Sequence, residues 1–201
     1  MNEKMQEISK KYMELLMDDA GERAGVSLLS NGTVPPMLFF HGVNGMKTYS
    51  PDYMPDERSK DEFVDNARIL CIAHGADAAV FLAEAWINVP RPVEALNFSK
   101  PTSRCAERQE AIIILGQTLD TCQQLILPMQ CCEKGKYVRP GEGHKIEAKS
   151  ITGRFSNILP FKITEARERK LAQDILDKRG VKTDEQIYRE EERAHRMCWR
   201  L

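Results

Sequence analysis

The chain has 201 residues, with 29 Lys+Arg against 30 Asp+Glu and a formal net charge of −1. A chain of this length buries roughly 70% of its unfolded surface, enough to fold without disulfides or metal. Its 42% apolar and 29% charged residues exclude a wholly disordered polymer, and the near-zero charge argues against bulk binding to nucleic acid or anionic membrane.

The pattern along the chain predicts alternating helices and short strands. Met5, Ile8, Tyr12 and Leu15/Leu16 recur at three- and four-residue steps, which predicts an amphipathic helix over 2–20 with Gly21 and Gly25 as stops. Met37 to His41 reads as a strand, Gly42-Val43-Asn44-Gly45 as a turn, and Met46 to Ser50 as the returning strand. Asp56 is an N-cap for a helix from about Glu57 to His74, with Phe63, Ala67, Leu70 and Cys71 on one stripe and Gly75 as its stop. Ala78 to Ile87 is nearly all apolar, as a strand buried on both faces must be.

Residues 88–107 hold Pro90, Pro92 and Pro101 and read as a long loop. Glu110 to Gln117 and Cys122 to Met129 form a hairpin around Leu119-Asp120-Thr121, followed by a short edge strand from Lys136 to Arg139. Residues 140–160 read mostly as loop, with Phe155 to Leu159 docking on the core. Thr164 caps a helix over Glu165–Arg179 that ends at Gly180. Thr183 with Gln186 makes a capping box for a last helix through Trp199.

This order gives an α+β fold: a hairpin, a helix and a three-strand meander in one five-stranded, mainly antiparallel sheet covered by helices. The order resembles profilin-like and roadblock-like folds, which carry many unrelated functions. Residues 1–160 make the α+β core and 161–201 a helical C-terminal extension.

No apolar run reaches the ~18 residues of a membrane span, and the mixed charge of Met1 to Glu7 is unlike a secretory signal. The expected compartment is therefore the reducing cytoplasm. Six cysteines (Cys71, Cys105, Cys122, Cys131, Cys132 and Cys198) are expected as thiols. P-loop, GxGxxG, HExxH, GxSxG and EF-hand patterns are all missing. No cofactor is expected, and His41-Gly42 after its apolar strand has no nucleophile elbow to serve.

Three constellations remain. Glu84 is the single charge in a ten-residue apolar strand. A carboxylate there must be paired or keep its proton, and Arg104 or Arg108 is the nearest sequence candidate to pair it. Glu84, Arg108 and Glu110 would form a ligand-binding rim if their strands are neighbours; the plain alternative is a structural ion pair. Cys71 with His74, and His195 with Cys198, each share a helix face, and two such half-sites meeting would bind zinc tetrahedrally. A buried thiol and a helix-terminal histidine explain each half without metal. Cys131-Cys132 with His144 suggests thiol chemistry, supported only by nearby Lys134 and Lys136.

Glu84-Ala85-Trp86, the proline-containing loop after it, and Arg108-Gln109-Glu110-Ala111 resemble an uncharacterised group of bacterial and phage-associated proteins. In that group a hydrophobic strand ends in Glu-Ala-Trp and the next begins Arg-x-Glu-Ala. Ala73-His74-Gly75-Ala76 also looks similar, and the resemblance spans about 56–130. It implies no established activity and raises interest only in Glu84, Arg108 and Glu110.

Without a catalytic signature, and with amphipathic terminal helices, the first expectation is a non-enzymatic protein-interaction module that self-associates as a homodimer. A small-ligand binder or enzyme at the Glu84 rim is the alternative, and a zinc-stabilised module the next. Membrane attachment is not expected, and nucleic-acid binding ranks last.

Overall fold

The computed structural model describes residues 3–51, 54–88, 108–131, 138–140, 143–148, 155 and 157–198. The elements are α1 (Glu3–Asn31), β1 (Met37–Gly42), β2 (Gly45–Tyr49), α2 (Glu57–Ala73), β3 (Ala78–Asn88), β4 (Arg108–Thr118), β5 (Cys122–Cys131), β6 (Val138–Pro140), β7 (His144–Ala148), α3 (Ala166–Arg179) and α4 (Asp184–Cys198). The α+β class is as expected, and the hairpin, helix and meander occur in the expected order.

The sheet is larger than the five strands expected. Among the described residues it has seven, all antiparallel, in the order β2-β1-β3-β4-β5-β6, with β7 also on β5. β6 and β7 share one side of β5: Met129 faces Pro140 and Ile126 faces His144, so the register slips by one residue between the two short ladders. β1 lies against β3, the first strand of the meander.

Period-two alternation divides the core into two layers. On one face, Val80 and Leu82 of β3, Ile112 and Ile114 of β4 and Phe39 of β1 pack with Met13, Leu16, Ala20, Ala24 and Leu28 of α1. On the other, Phe81, Ala79, Leu38 and Phe40 pack with Phe63, Ala67, Leu70 and Cys71 of α2 and Leu176 of α3. Helices therefore cover both faces. Gly116 on β4 lets α1 come close, because a Cβ there would lie 2.7 Å from the sulfur of Met17.

Local signals around α2 hold. Ser59 N–H donates to Asp56 Oδ1 at 2.8 Å and Asp56 N–H to Ser59 Oγ at 3.2 Å, which closes a capping box. Gly75 ends the helix at φ 59°. The first helix differs from expectation. It runs through Gly21 and Gly25 to Asn31, and Gly32 at φ 72° is its stop. Each interior glycine costs about 1 kcal/mol, and burying Ala24 and Leu28 against the sheet outweighs that.

Two further expectations are corrected. Residues 144–148, read as loop, form β7. Thr164 does not cap α3; Glu165 is the N-cap residue, and its N–H donates to Glu168 Oε2 at 2.8 Å. The Thr164 hydroxyl donates instead to the Ile72 carbonyl at 3.3 Å, which ties α3 to the end of α2. The expected docking of 155–159 is present: Ile158 and Leu159 are buried, and Phe155 stacks on Phe81 with centroids 4.2 Å apart. Of the loop expected over 88–107, Asn88 belongs to β3 and residues 89–107 lie outside the described residues.

Candidate functional site

The β3–β4 ladder pairs Glu84 with Ile112, Trp86 with Glu110 and Asn88 with Arg108. Directly opposed residues share a face, so Glu84, Glu110 and Arg108 occupy one face at one end of the sheet. The register places these three positions on one face; no contact among their side chains is described, and the expected Glu84 ion pair is replaced by a backbone partner. The Glu84 carboxylate has a further engagement: its Oε1 accepts the backbone N–H of Val34 at 2.5 Å. Glu84 thus ties the connection after α1 to the middle of the sheet. The side chain of Arg108, and all of Arg104, lie outside the described residues. Trp86, on the same face, is 42% exposed.

Of the zinc constellation only the first half, Cys71 and His74, has described side chains. Cys71 points into the core beside α2, fully buried, and that burial pushes its thiol well above the ordinary range. His74 is half-buried beside Phe40, with ring centroids 5.3 Å apart. Burial holds its imidazole below the usual value, Lys47 adds to that, and Glu185 opposes it. The side chains of His195 and Cys198 lie outside the described residues. Among the described residues, no group of three His, Cys, Asp or Glu side chains is placed to hold a metal ion. Of the thiol candidates, Cys105, Cys132 and the side chain of Cys131 lie outside the described residues, and His144 is exposed on β7.

Sequence reasoning missed a second polar cluster, at the opposite end of β3. His41 Nδ1 and Asp77 Oδ1 are 2.7 Å apart. The Ser9 hydroxyl donates to Asp77 Oδ2 at 3.2 Å, and the Tyr12 ring lies flat on His41, with centroids 3.5 Å apart and planes within 9°. Asp77 N–H also donates to the His41 carbonyl at 3.1 Å. Strand pairing builds this arrangement: His41 faces Ala78, so the residue before β3 reaches the imidazole. Ser9 and Tyr12 come from α1, one helical turn apart. The aspartate orients the imidazole through Nδ1, the division of labour in a His–Asp dyad. The serine is bonded to the aspartate rather than to the histidine, so it is not positioned as a nucleophile with its base. The cluster fastens α1 to the sheet. The signal that reveals it is the β1–β3 register, which no local pattern carries.

No helix among the described residues is long and apolar enough to cross a membrane. The chain matches no family model, no curated protein and no solved structure.

Proposed function

We propose that the chain is a non-enzymatic protein-interaction module that self-associates through the outer side of α1. One observation carries this reading: α1 carries exposed apolar side chains, interspersed with charges, on the side away from the sheet. Besides the row buried on the sheet, Ile8, Leu15, Val26 and Leu29 are 43%, 46%, 58% and 71% exposed. Ile8, Leu15 and Val26 follow one another by two and then three helical turns, which places them on one line. A row of this kind gives a second helix places to pack along the length of α1.

The favoured occupant is a second copy of α1 running antiparallel. Along the outward line Lys4 and Lys11 lie in the first half and Asp18 and Glu22 further along, while Glu3, Glu7 and Glu14 sit on a flank. Antiparallel pairing brings the lysines of one copy toward the carboxylates of the other, as the charged flanks of paired helices do. Glu84, the residue best suited by sequence to acid–base work, is engaged by Val34 N–H, which supports a structural role.

The reading includes a cytoplasmic setting, in keeping with the buried Cys71 thiol. It keeps the likeness to the bacterial and phage-associated Glu-Ala-Trp group. It also keeps the profilin-like and roadblock-like likeness, carried by element order alone. Light scattering over a range of protein concentrations tests it. A dimer is expected, and Val26→Asp with Leu29→Asp should give a monomer of unchanged helix content. A wild-type chain that stays monomeric at high concentration overturns it.

A second reading, a ligand rim at Glu84, Arg108 and Glu110, is favoured by the register that sets all three on one face. It requires Glu110→Gln to abolish binding of a ligand without changing stability.

A further inference from the structure

Among the described residues β2 is the outermost strand on its side of the sheet, and its outer margin is not bare. The β1–β2 register closes at Gly42 and Gly45, so the amides of Lys47 and Tyr49 point toward β1 and those of Thr48 and Ser50 point outward. Outward amides two residues apart are the donors that an added strand uses. Here side chains take them. The Thr48 N–H donates to Glu185 Oε1 at 3.3 Å, and Asp184 accepts both the Ser50 N–H and the Ser50 hydroxyl, at 3.0 Å each. The first turn of α4 thus imitates the carbonyl edge of a strand.

This cover is lightly held. Glu185 Oε2 is buried and, among the described residues, has no hydrogen-bond partner. A carboxylate oxygen left dry is costly. Lifting α4 returns that oxygen to water, which offsets the loss of the long bond from Thr48. Beyond the first turn, the side chains of α4 from Ile187 to Arg193 are all exposed, so the first turn is its main attachment among the described residues. Thr183, just before α4, is fully buried. It keeps the start of the segment on the core, so α4 can swing about that point without detaching α3.

We propose that α4 is a displaceable cover on the outer margin of β2, and that this margin, once bared, pairs with an extended peptide segment. The surface is separate from the outer row of α1 and goes beyond self-association.

Amide exchange and NMR of the full chain test the proposal. In the wild type, Thr48 and Ser50 should exchange together with the α4 amides, about tenfold or more faster than Lys47 and Tyr49. Asp184→Ala with Glu185→Ala should speed Thr48 and Ser50 about a further tenfold and leave Lys47 and Tyr49 unchanged. Ser50→Ala, which removes only the hydroxyl bond to Asp184, should act in the same direction by a smaller factor. The probe for pairing is a short capped peptide of alternating threonine and valine. It should shift the Thr48 and Ser50 amides, bind the double variant about tenfold more tightly than the wild type, and speed α4 exchange in the wild type by displacement. A fully N-methylated twin, which cannot form a strand ladder, should not bind. Exchange of Thr48 and Ser50 only together with Lys47 and Tyr49 overturns the proposal. So does equal binding by wild type and double variant, or binding of the methylated twin.

Discussion

The carboxylate of Glu84 accepts the backbone N–H of Val34 at 2.5 Å, across 50 residues of sequence. Val34 is 3% exposed and lies between α1 and β1, where strand ladders do not reach its N–H. A buried donor without an acceptor costs about 1–3 kcal/mol. Glu84→Ala is therefore expected to lower stability by about 1–2 kcal/mol, and Glu84→Gln, which keeps an acceptor, by less than about 1 kcal/mol. Urea unfolding midpoints measure both. An alanine variant as stable as wild type would mean that this bond is replaced at no cost.

Asp77 is the hub of the cluster that holds α1, since one carboxylate serves both His41 and Ser9. Ser9 is only 3% exposed, so losing its acceptor strands a buried hydroxyl. Asp77→Ala should cost about 2–3 kcal/mol and Ser9→Ala about 1 kcal/mol. The double variant should fall short of the sum of the two losses, because the shared bond is counted only once. Additive losses in chemical unfolding would show that the two groups act separately.

Stability should fall in mild acid through His74. Its imidazole is held below the ordinary value first by burial, then by Lys47. The unfolded chain therefore binds the proton more readily than the fold. The contribution of neutral His74 is complete above the unfolded value of about 6.5 and is lost as pH falls below it, through the lower folded value. His74→Gln should flatten the part of the stability–pH profile between about pH 7 and pH 5. Thermal unfolding at both ends of that window measures it, and parallel profiles for variant and wild type would exclude His74 as the source.

Cys71 should behave as core, not as a metal ligand or nucleophile. Its thiol is encased by the α2 layer and pushed up by burial, which keeps it protonated and unreactive. In the native protein an alkylating reagent should spare Cys71 and react faster with the less buried Cys122. Chelator treatment should leave the unfolding midpoint unchanged. Cys71→Ser, which puts a hydroxyl among apolar side chains, should destabilise by about 1–3 kcal/mol. A midpoint that drops with chelator and returns with zinc would restore the metal reading.

What the sequence disclosed follows the range of the forces involved. The Asp56–Ser59 box and the Gly75 stop involve neighbours within a few residues, so spacing alone reveals them. The strand from Ala78 was legible from its apolar composition, but burial on both faces holds only over Ala78 to Ala83; Glu84 and Trp86 are exposed, which corrects the expectation of a strand buried throughout. The extension of α1 past Gly21 and Gly25 was not legible, since the sheet that rewards burial of Ala24 and Leu28 is assembled from distant strands. β7 was hidden for another reason. His144-Lys145-Ile146-Glu147-Ala148 is a polar edge strand, and Ile146 is 48% exposed, so it carries no strong apolar alternation. Among candidate residues, Glu84 announced itself as a lone charge, but its acceptor role toward Val34 depends on the path of the chain after α1. His41 and Asp77 look ordinary until β1 is laid against β3.

Among the described residues, each margin of the sheet carries a feature that disfavours strand addition, and the two differ. At β2 the Thr48 N–H donates to Glu185 and the Ser50 N–H to Asp184, at 3.3 and 3.0 Å, so the start of α4 supplies carboxylates where another strand would dock. Beyond β5 the outer row is split into a three-residue and a five-residue piece that are out of step. Short, interrupted or occupied borders are the means by which native sheets avoid templating cross-β fibrils. The folded molecule is thereby protected from amyloid-type stacking, and encounters between copies are diverted from backbone zippering to side-chain surfaces that evolution can tune one residue at a time.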